Sequence, residues 1–233
     1  TILSIDSGTQ SLRAMLFSER GELLAREQIR YEPYFSTQPG WAEQDPLLYW
    51  KSLCQACGRL KEKHPSLFAA IAGVGVTTQR SSMINVDAQG DPLRPAILWL
   101  DQRKAKPPFG NQGLIKAGLK LLGLNEVVAE VQSEAKCNWI MQKEPEIWAA
   151  TSKYLQVSGF LNHRLTGVFA DSVASQIGHL PFHYKQMRWA TKYELPTKFF
   201  PIEPDKLPVL MPPGDLIGTI TAEASKLTGI KEG

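Results

Sequence analysis

Residues 1–31 constrain the fold more than any other stretch, because they spell three short strand runs separated by two tight turns. Residues 1–5 form an apolar run that stops at Asp6-Ser7-Gly8-Thr9-Gln10-Ser11, a turn by composition. Residues 12–17 resume strand character, with Ala14 and Leu16 on one face and Met15 and Phe17 on the other. Glu19-Arg20-Gly21 makes a second turn, and residues 23–31 form a third strand that alternates less cleanly. Connections this short join antiparallel neighbours, since a parallel pair needs a crossover of a dozen or more residues. The chain therefore begins as an antiparallel meander.

Residues 34–45 are a loop rich in Pro, Gly and polar residues, and Asp45 followed by Pro46 predicts a helix N-terminus there, with the helix running to about Lys63. Residues 71–77 are apolar and glycine-bearing, which suits a buried central strand. Residues 83–86 predict a strand closed by the turn Asp87-Ala88-Gln89-Gly90, and residues 96–100 another, stopped by Asp101-Gln102-Arg103. Beyond Pro108 the pattern is helical: 114–122, a helix opening over 136–142, and 152–165 ending at Gly167. Residues 182–213 carry several prolines and read as irregular, and 217–227 read as a strand and then a helix. This order predicts an α/β domain with a mixed sheet, then a helical, loop-rich region, with no internal repeat.

Composition narrows the function. Hydrophobic and charged contents of 43% and 21% fit a globular chain. A net charge of +3 with no basic stripe excludes nucleic acid and an anionic membrane as the main partner. No run approaches the ~20 apolar residues of a membrane helix, no signal-peptide pattern opens the sequence, and cytoplasm is the expected location. Oligomeric state stays open, a homodimer included. Cys54 and Cys57 form a C-x-x-C, but the stretch around them has helical spacing and no second pair follows. They read as small core residues.

Two readings of the turn at residues 6–11 stand at this point. It is either a plain hairpin turn or a phosphate cradle. In the second, Gly8 lets backbone approach, Thr9, Gln10 and Ser11 offer donors, and Asp6 holds a hydrated Mg²⁺. Arg13 would meet a phosphate or pair with Asp6. The turn is neither a Walker A loop nor a G-x-G-x-x-G.

The run from Ile5 to Ala14 resembles the first phosphate motif of the actin-like ATPase superfamily, and above all the FGGY carbohydrate kinases, which read Asp-x-Gly-Thr-x-Ser-x-Arg. Further segments resemble that family in order: Pro39-Gly40-Trp41-Ala42-Glu43-Gln44-Asp45-Pro46 with Trp50, the strand from Ile71 to Arg80, the hairpin from Asp87 into Trp99-Leu100-Asp101-Gln102-Arg103, Lys136 with Trp139, and Leu165-Thr166-Gly167 with Asp171, Ala174 and Ser175. The resemblance covers nearly the whole chain. It implies a ribonuclease-H-like (actin-like ATPase) α/β domain with a mixed sheet and helices on both faces. Residues 1–233 would be the amino-terminal, substrate-side half, with a carboxy-terminal ATP-binding domain as its partner.

The same resemblance implies ATP-dependent phosphorylation of a sugar or polyol. Asp6 would order Mg²⁺, and Gly8, Thr9, Gln10, Ser11 and Arg13 would face the phosphates of ATP. Gln79, Arg80, Ser81, Trp99 and Asp101 would line the sugar site. Arg80 suits paired hydroxyls, Asp101 is an acceptor, and Trp99 is a plate for the C–H face. Lys136 and Trp139 read as packing and surface residues. Glycerol kinases carry a Glu where this chain has Ser81, and xylulokinases carry a Gln-x-His-Gly absent here, so the sugar is not named. The family's general base, a Gly-Asp aspartate, is expected beyond Gly233, with no catalytic residue in the chain itself and no activity in isolation. The alternatives are a degenerate, non-catalytic sugar sensor and an ATPase activator of the same superfamily, which would need cluster cysteines.

Overall fold

The alternation of residues 1–31 becomes three strands: β1 (Ile2–Ser7), β2 (Ser11–Phe17) and β3 (Leu23–Arg30). The computed structural model of the chain describes residues 1–109 and 113–233. Asp6 and Ser7 belong to β1 and Ser11 to β2, so the first turn is narrower than its composition suggests and consists of Gly8, Thr9 and Gln10. Leu3, Ile5 and Ser7 of β1 lie opposite Leu16, Ala14 and Leu12 of β2, all buried on one face.

The strands β4 (Glu43–Gln44), β5 (Gly73–Thr78), β6 (Met83–Val86), β7 (Ala96–Ile97) and β8 (Lys153–Gln156) complete two four-stranded sheets. The first has the order β3-β2-β1-β5, with β5 parallel to β1 and the others antiparallel. The second has the order β4-β7-β6-β8 and is antiparallel throughout. The crossover into β5 runs through α1 (Pro46–Lys63) and α2 (Pro65–Ala69). α1 starts where Asp45 accepts from the Leu47 amide at 2.9 Å. It buries Tyr49, Leu53, Ala56, Cys57 and Leu60 in the core shared with β1 and β2. Burial pushes the Cys54 thiol up to about 11 and Cys57 up to about 12, so both stay protonated in that core.

Between β7 and β8 lie α3 (Gly113–Leu121), α4 (Asn125–Ser133), α5 (Lys136–Lys143) and α6 (Pro145–Ala150). After β8 come α7 (Val157–Thr166), β9 (Ala170–Ser172), the hairpin of β10 (Phe182–His183) and β11 (Arg188–Trp189), α8 (Leu195–Phe199), β12 (Val209–Met211) and α9 (Ala222–Thr228). The second sheet separates two cores. Ile84, Val86, Leu98 and Leu155 face the core of α1 and α7, whereas Met83, Ile97 and Tyr154 face that of α5 and α6. Helices thus cover both faces of this sheet. Among the described residues the first sheet has α1 packed on the face that buries Leu3 and Ile5.

Several expectations need correction. β5 is not a buried central strand: it forms one edge of the first sheet, paired only with β1 among the described residues, and none of its residues is fully buried. Residues 153–156 are strand, not the start of a helix, because Leu155 and Tyr154 alternate onto opposite cores and pair with Ile84 and Asn85 of β6. The strand at 96–100 ends at Ile97, because the Leu98 amide leaves the ladder for the Ala42 carbonyl and the Asp101 amide turns back onto Leu98. Residues 217–221 join no ladder; Thr221 instead caps α9 by accepting from the Ala224 amide. The region 182–213 holds more order than its prolines suggest, with β12 pairing parallel to β9.

Candidate functional site

The turn between β1 and β2 is held open from below. The Gly8 amide donates to Ser11 O at 2.9 Å, and Tyr31 Oη donates to Gly8 O at 2.6 Å. Burial pushes the Tyr31 phenol up to about 12, so it remains a donor throughout the neutral range. Gln28 Nε2 donates to Ser11 Oγ at 2.9 Å, and Arg13 pairs with Asp6 at 2.8 Å. The amides of Thr9 and Gln10 find no acceptor among the described residues, and the Gln10 side chain is exposed with no partner there. Free amides beside a hydroxyl and a half-exposed carboxylate form a donor set that fits phosphate oxygens and a hydrated cation.

Thr9 is the most connected residue of the turn. Its hydroxyl donates to Gln79 Oε1 at 2.8 Å and accepts from Trp99 Nε1 at 3.1 Å. Gln79 Nε2 donates to Tyr49 Oη at 3.0 Å, Tyr49 Oη donates to Gln44 Oε1 at 2.6 Å, and Gln44 Nε2 returns to Thr9 O at 3.2 Å. These contacts close a ring through β4, α1, the end of β5 and the turn. Burial, with Tyr31 nearby, holds the Tyr49 phenol far above the usual tyrosine range, so it stays a donor. The Trp99 ring is 57% exposed. It is therefore a tethered surface plate rather than a core residue.

The structure brings Gln79 and Trp99 onto Thr9 of this turn, and Arg80 and Ser81 follow Gln79 in the chain. Arg80 is exposed and has no hydrogen bond or ion pair among the described residues. Ser81 takes a left-handed backbone, φ 59°, with its amide on Gln156 Oε1 at 2.9 Å. Asp101 stands apart from the others. Its side chain is fully buried, and its oxygens accept from the Ala42 amide at 2.7 Å, the Arg103 amide at 3.0 Å, and Arg103 Nε and Nη2 at 2.8 Å each. The Arg103 guanidinium lies between Trp41 and Trp139, 3.9 and 4.6 Å from their centroids, and reaches Glu43 at 3.1 Å. Arg94 ties Glu43 to Glu144, at 2.6 Å each. The carboxylate of Asp101 is spent within this ion network.

Three residues, Tyr49, Gln44 and His179, escaped sequence reasoning. Tyr49 and Gln44 complete the ring at Thr9, yet Tyr49 on an apolar helix face reads as core. Lys136, read from the sequence as a packing or surface residue, is 8% exposed and lines a cleft of about 10 Å³ with Ser81, Met83, Tyr154, Ile177 and His179. His179 carries no sequence signal at all.

A family profile described as "FGGY family of carbohydrate kinases, N-terminal domain" matches residues 1–233. The chain is 25% identical over 228 residues to a xylulose kinase of Escherichia coli (strain K12), covering 98% of this chain and 46% of that protein. It is 30% identical over 200 residues to a glycerol kinase of Ectopseudomonas mendocina (strain ymp), covering 81% and 39%. The crystal structure of xylulose kinase from Rhodospirillum rubrum superimposes with a TM-score of 0.80 at 25% identity, over 99% of this chain and 47% of that one. The chain spans about half the length of the curated relatives it matches.

Proposed function

The chain belongs to the FGGY family of carbohydrate kinases, as its N-terminal domain, and from that premise we propose that the whole protein transfers a phosphoryl group from ATP to a hydroxyl of a sugar or polyol. One observation carries this reading: a single hydroxyl, Thr9 Oγ1, joins the turn with free amides to the exposed Trp99 plate. A phosphate cradle and an apolar sugar platform meet there within one hydrogen-bonded ring, as in-line transfer between two substrates requires.

In this reading residues 1–233 form the substrate-side domain, and a further domain supplies the adenosine site and the general base. Bound Mg-ATP supplies the phosphoryl group and the cation charge that neutralises it. The chain's own residues position the partners. Gly8 lets backbone come close to phosphate, the Thr9 and Gln10 amides and Ser11 Oγ donate to its oxygens, and Asp6 holds the hydrated cation. Arg13, now on Asp6, orients that carboxylate or follows the phosphate charge. Trp99 presents an apolar face to the C–H side of the sugar, and Arg80 and Gln79 offer forked donors to its hydroxyls. Asp101 acts through Arg103 and the two tryptophans rather than on the sugar. The matched relatives are kinases, which leaves the sugar-sensor reading without support. Among the described residues no helix is long and apolar enough to cross a membrane.

The test is ADP release by the full-length protein against a panel of ketopentoses, alditols, aldonic acids and glycerol. Release that depends on one of these substrates is expected. ADP release with no acceptor dependence, or none at all, would overturn the proposal.

A further inference from the structure

Each carbonyl of the turn at Gly8–Gln10 is tied to the protein behind it. Gly8 O accepts from Tyr31 Oη at 2.6 Å, Thr9 O from Gln44 Nε2 at 3.2 Å, and Gln10 O from the Tyr31 amide at 3.1 Å. In a trans peptide the N–H points away from the C=O of the same unit, and the peptides of this turn are trans. Holding Gly8 O towards Tyr31 therefore aims the Thr9 amide the opposite way. Holding Thr9 O towards Gln44 does the same for the Gln10 amide. These are the two amides that find no acceptor among the described residues.

The anchors differ in how closely they are dedicated to the turn. Gln44 also donates to the carbonyls of Glu32 and Pro33 and accepts from Tyr49, so it braces the surrounding loop as well. The Tyr31 hydroxyl has one proton and gives it to Gly8 O. The Tyr31 ring packs against the core of α1 and the first sheet, a task that a phenylalanine ring performs without taking a hydroxyl out of water. Gln28 of β3 sets the neighbouring side-chain donor in the same manner. Its Nε2 donates to Ser11 Oγ at 2.9 Å, which fills one acceptor position of that hydroxyl, and the Ser11 proton has no acceptor among the described residues.

We infer that Tyr31 and Gln28 are positioning residues for the phosphate: from β3 and the residue just past it, they aim the Thr9 amide and the Ser11 hydroxyl at phosphate oxygens without touching the nucleotide. The inference rests on the carbohydrate-kinase reading above and extends that site to a strand outside the turn. Donors fixed before the ligand arrives need no reordering when it binds, which is the advantage a flexible turn lacks.

The experiment measures two affinities of the full-length protein by calorimetry: for a non-hydrolysable Mg-ATP analogue, and, without nucleotide, for the acceptor that supports ADP release. Tyr31→Phe is expected to weaken the analogue by about tenfold, the worth of one hydrogen bond, and Gln28→Leu by about threefold. Acceptor affinity should stay within about twofold in both. Analogue affinity within twofold of wild type in either variant overturns the role of that residue. Equal losses for analogue and acceptor also overturn it, because they report a loosened scaffold rather than aimed donors. Failure of Tyr31→Phe to fold makes its hydroxyl part of the scaffold and overturns its positioning role, leaving Gln28→Leu to decide for Ser11. Absence of ADP release with every acceptor defeats the kinase reading instead, and the analogue affinities then decide this inference by themselves.

Discussion

The polar groups of the turn at Gly8–Gln10 and those of the cleft beside Ser81 are in opposite states. Around Thr9 each side chain of the ring already has its partner: Thr9, Gln79, Tyr49 and Gln44 close on themselves, and Trp99 hangs from the ring by its Nε1–H. In the cleft, the Lys136 ammonium and the Tyr154 hydroxyl have no hydrogen-bond partner among the described residues. The difference separates two ways of making a site. Satisfied groups fix geometry before a ligand arrives, whereas groups with no protein partner are left to solvent or to a ligand. Asp101 shows why burial state matters more than residue type. It is the acceptor its chemistry suggests, but Arg103 and the Ala42 amide already occupy it.

The largest expected effect comes from Asp101. Asp101→Asn keeps the shape but leaves Arg103, buried between Trp41 and Trp139, with only the Glu43 carboxylate that Arg94 already shares, and should destabilise the protein by about 3–5 kcal/mol in a urea titration. A stable variant with only a raised sugar KM would return Asp101 to the sugar site. Next is Thr9→Val, which strands Gln79 Oε1 and Trp99 Nε1. A fall of roughly 100-fold in kcat/KM is expected from steady-state kinetics, comparable to losing a positioned donor. An effect confined to the melting temperature would reduce the ring to a structural brace.

Tyr49→Phe breaks the ring one step further from the ligands. It strands the buried Gln44 Oε1 and the half-buried Gln79 Nε2 at a cost of about 1–3 kcal/mol, with a smaller loss of rate than Thr9→Val; equal losses of rate would mean that the ring acts as a unit. The smallest effect is on pH dependence. The folded-state pKa of Tyr31 is raised, so the stability it contributes is complete below the unfolded tyrosine value of about 10 and is lost as pH climbs towards about 12. Urea midpoints between pH 9 and 12 should fall less steeply in Tyr31→Phe than in the wild type. Identical slopes would contradict the burial of that phenol.

Much of the scaffold was legible because its signals are local. The meander of β1 to β3, the Asp45–Pro46 start of α1 and the Gly167 stop of α7, with φ 73°, each depend on a few neighbouring residues. What escaped depends on distant ones. β8 is four residues fused to a helix, and only its pairing with β6 distinguishes the two. Lysine is rarely buried, so nothing near Lys136 in the chain announces a cleft whose other walls are Ser81, Tyr154 and His179. The ring at Thr9 was half legible: Thr9, Gln79 and Trp99 stood out as site residues, while Gln44 and Tyr49 were hidden by their resemblance to loop and core.

The most direct test of the Thr9 linkage is the coupling between the two ligands. Sugar affinity of the full-length protein would be measured by calorimetry with and without a non-hydrolysable ATP analogue, in wild type and in Thr9→Val. If Thr9 joins cradle to plate, nucleotide tightens sugar binding in the wild type and the gain largely disappears in the variant. A gain that survives unchanged in Thr9→Val would show that the two sites communicate by another route and that the ring is only part of the scaffold.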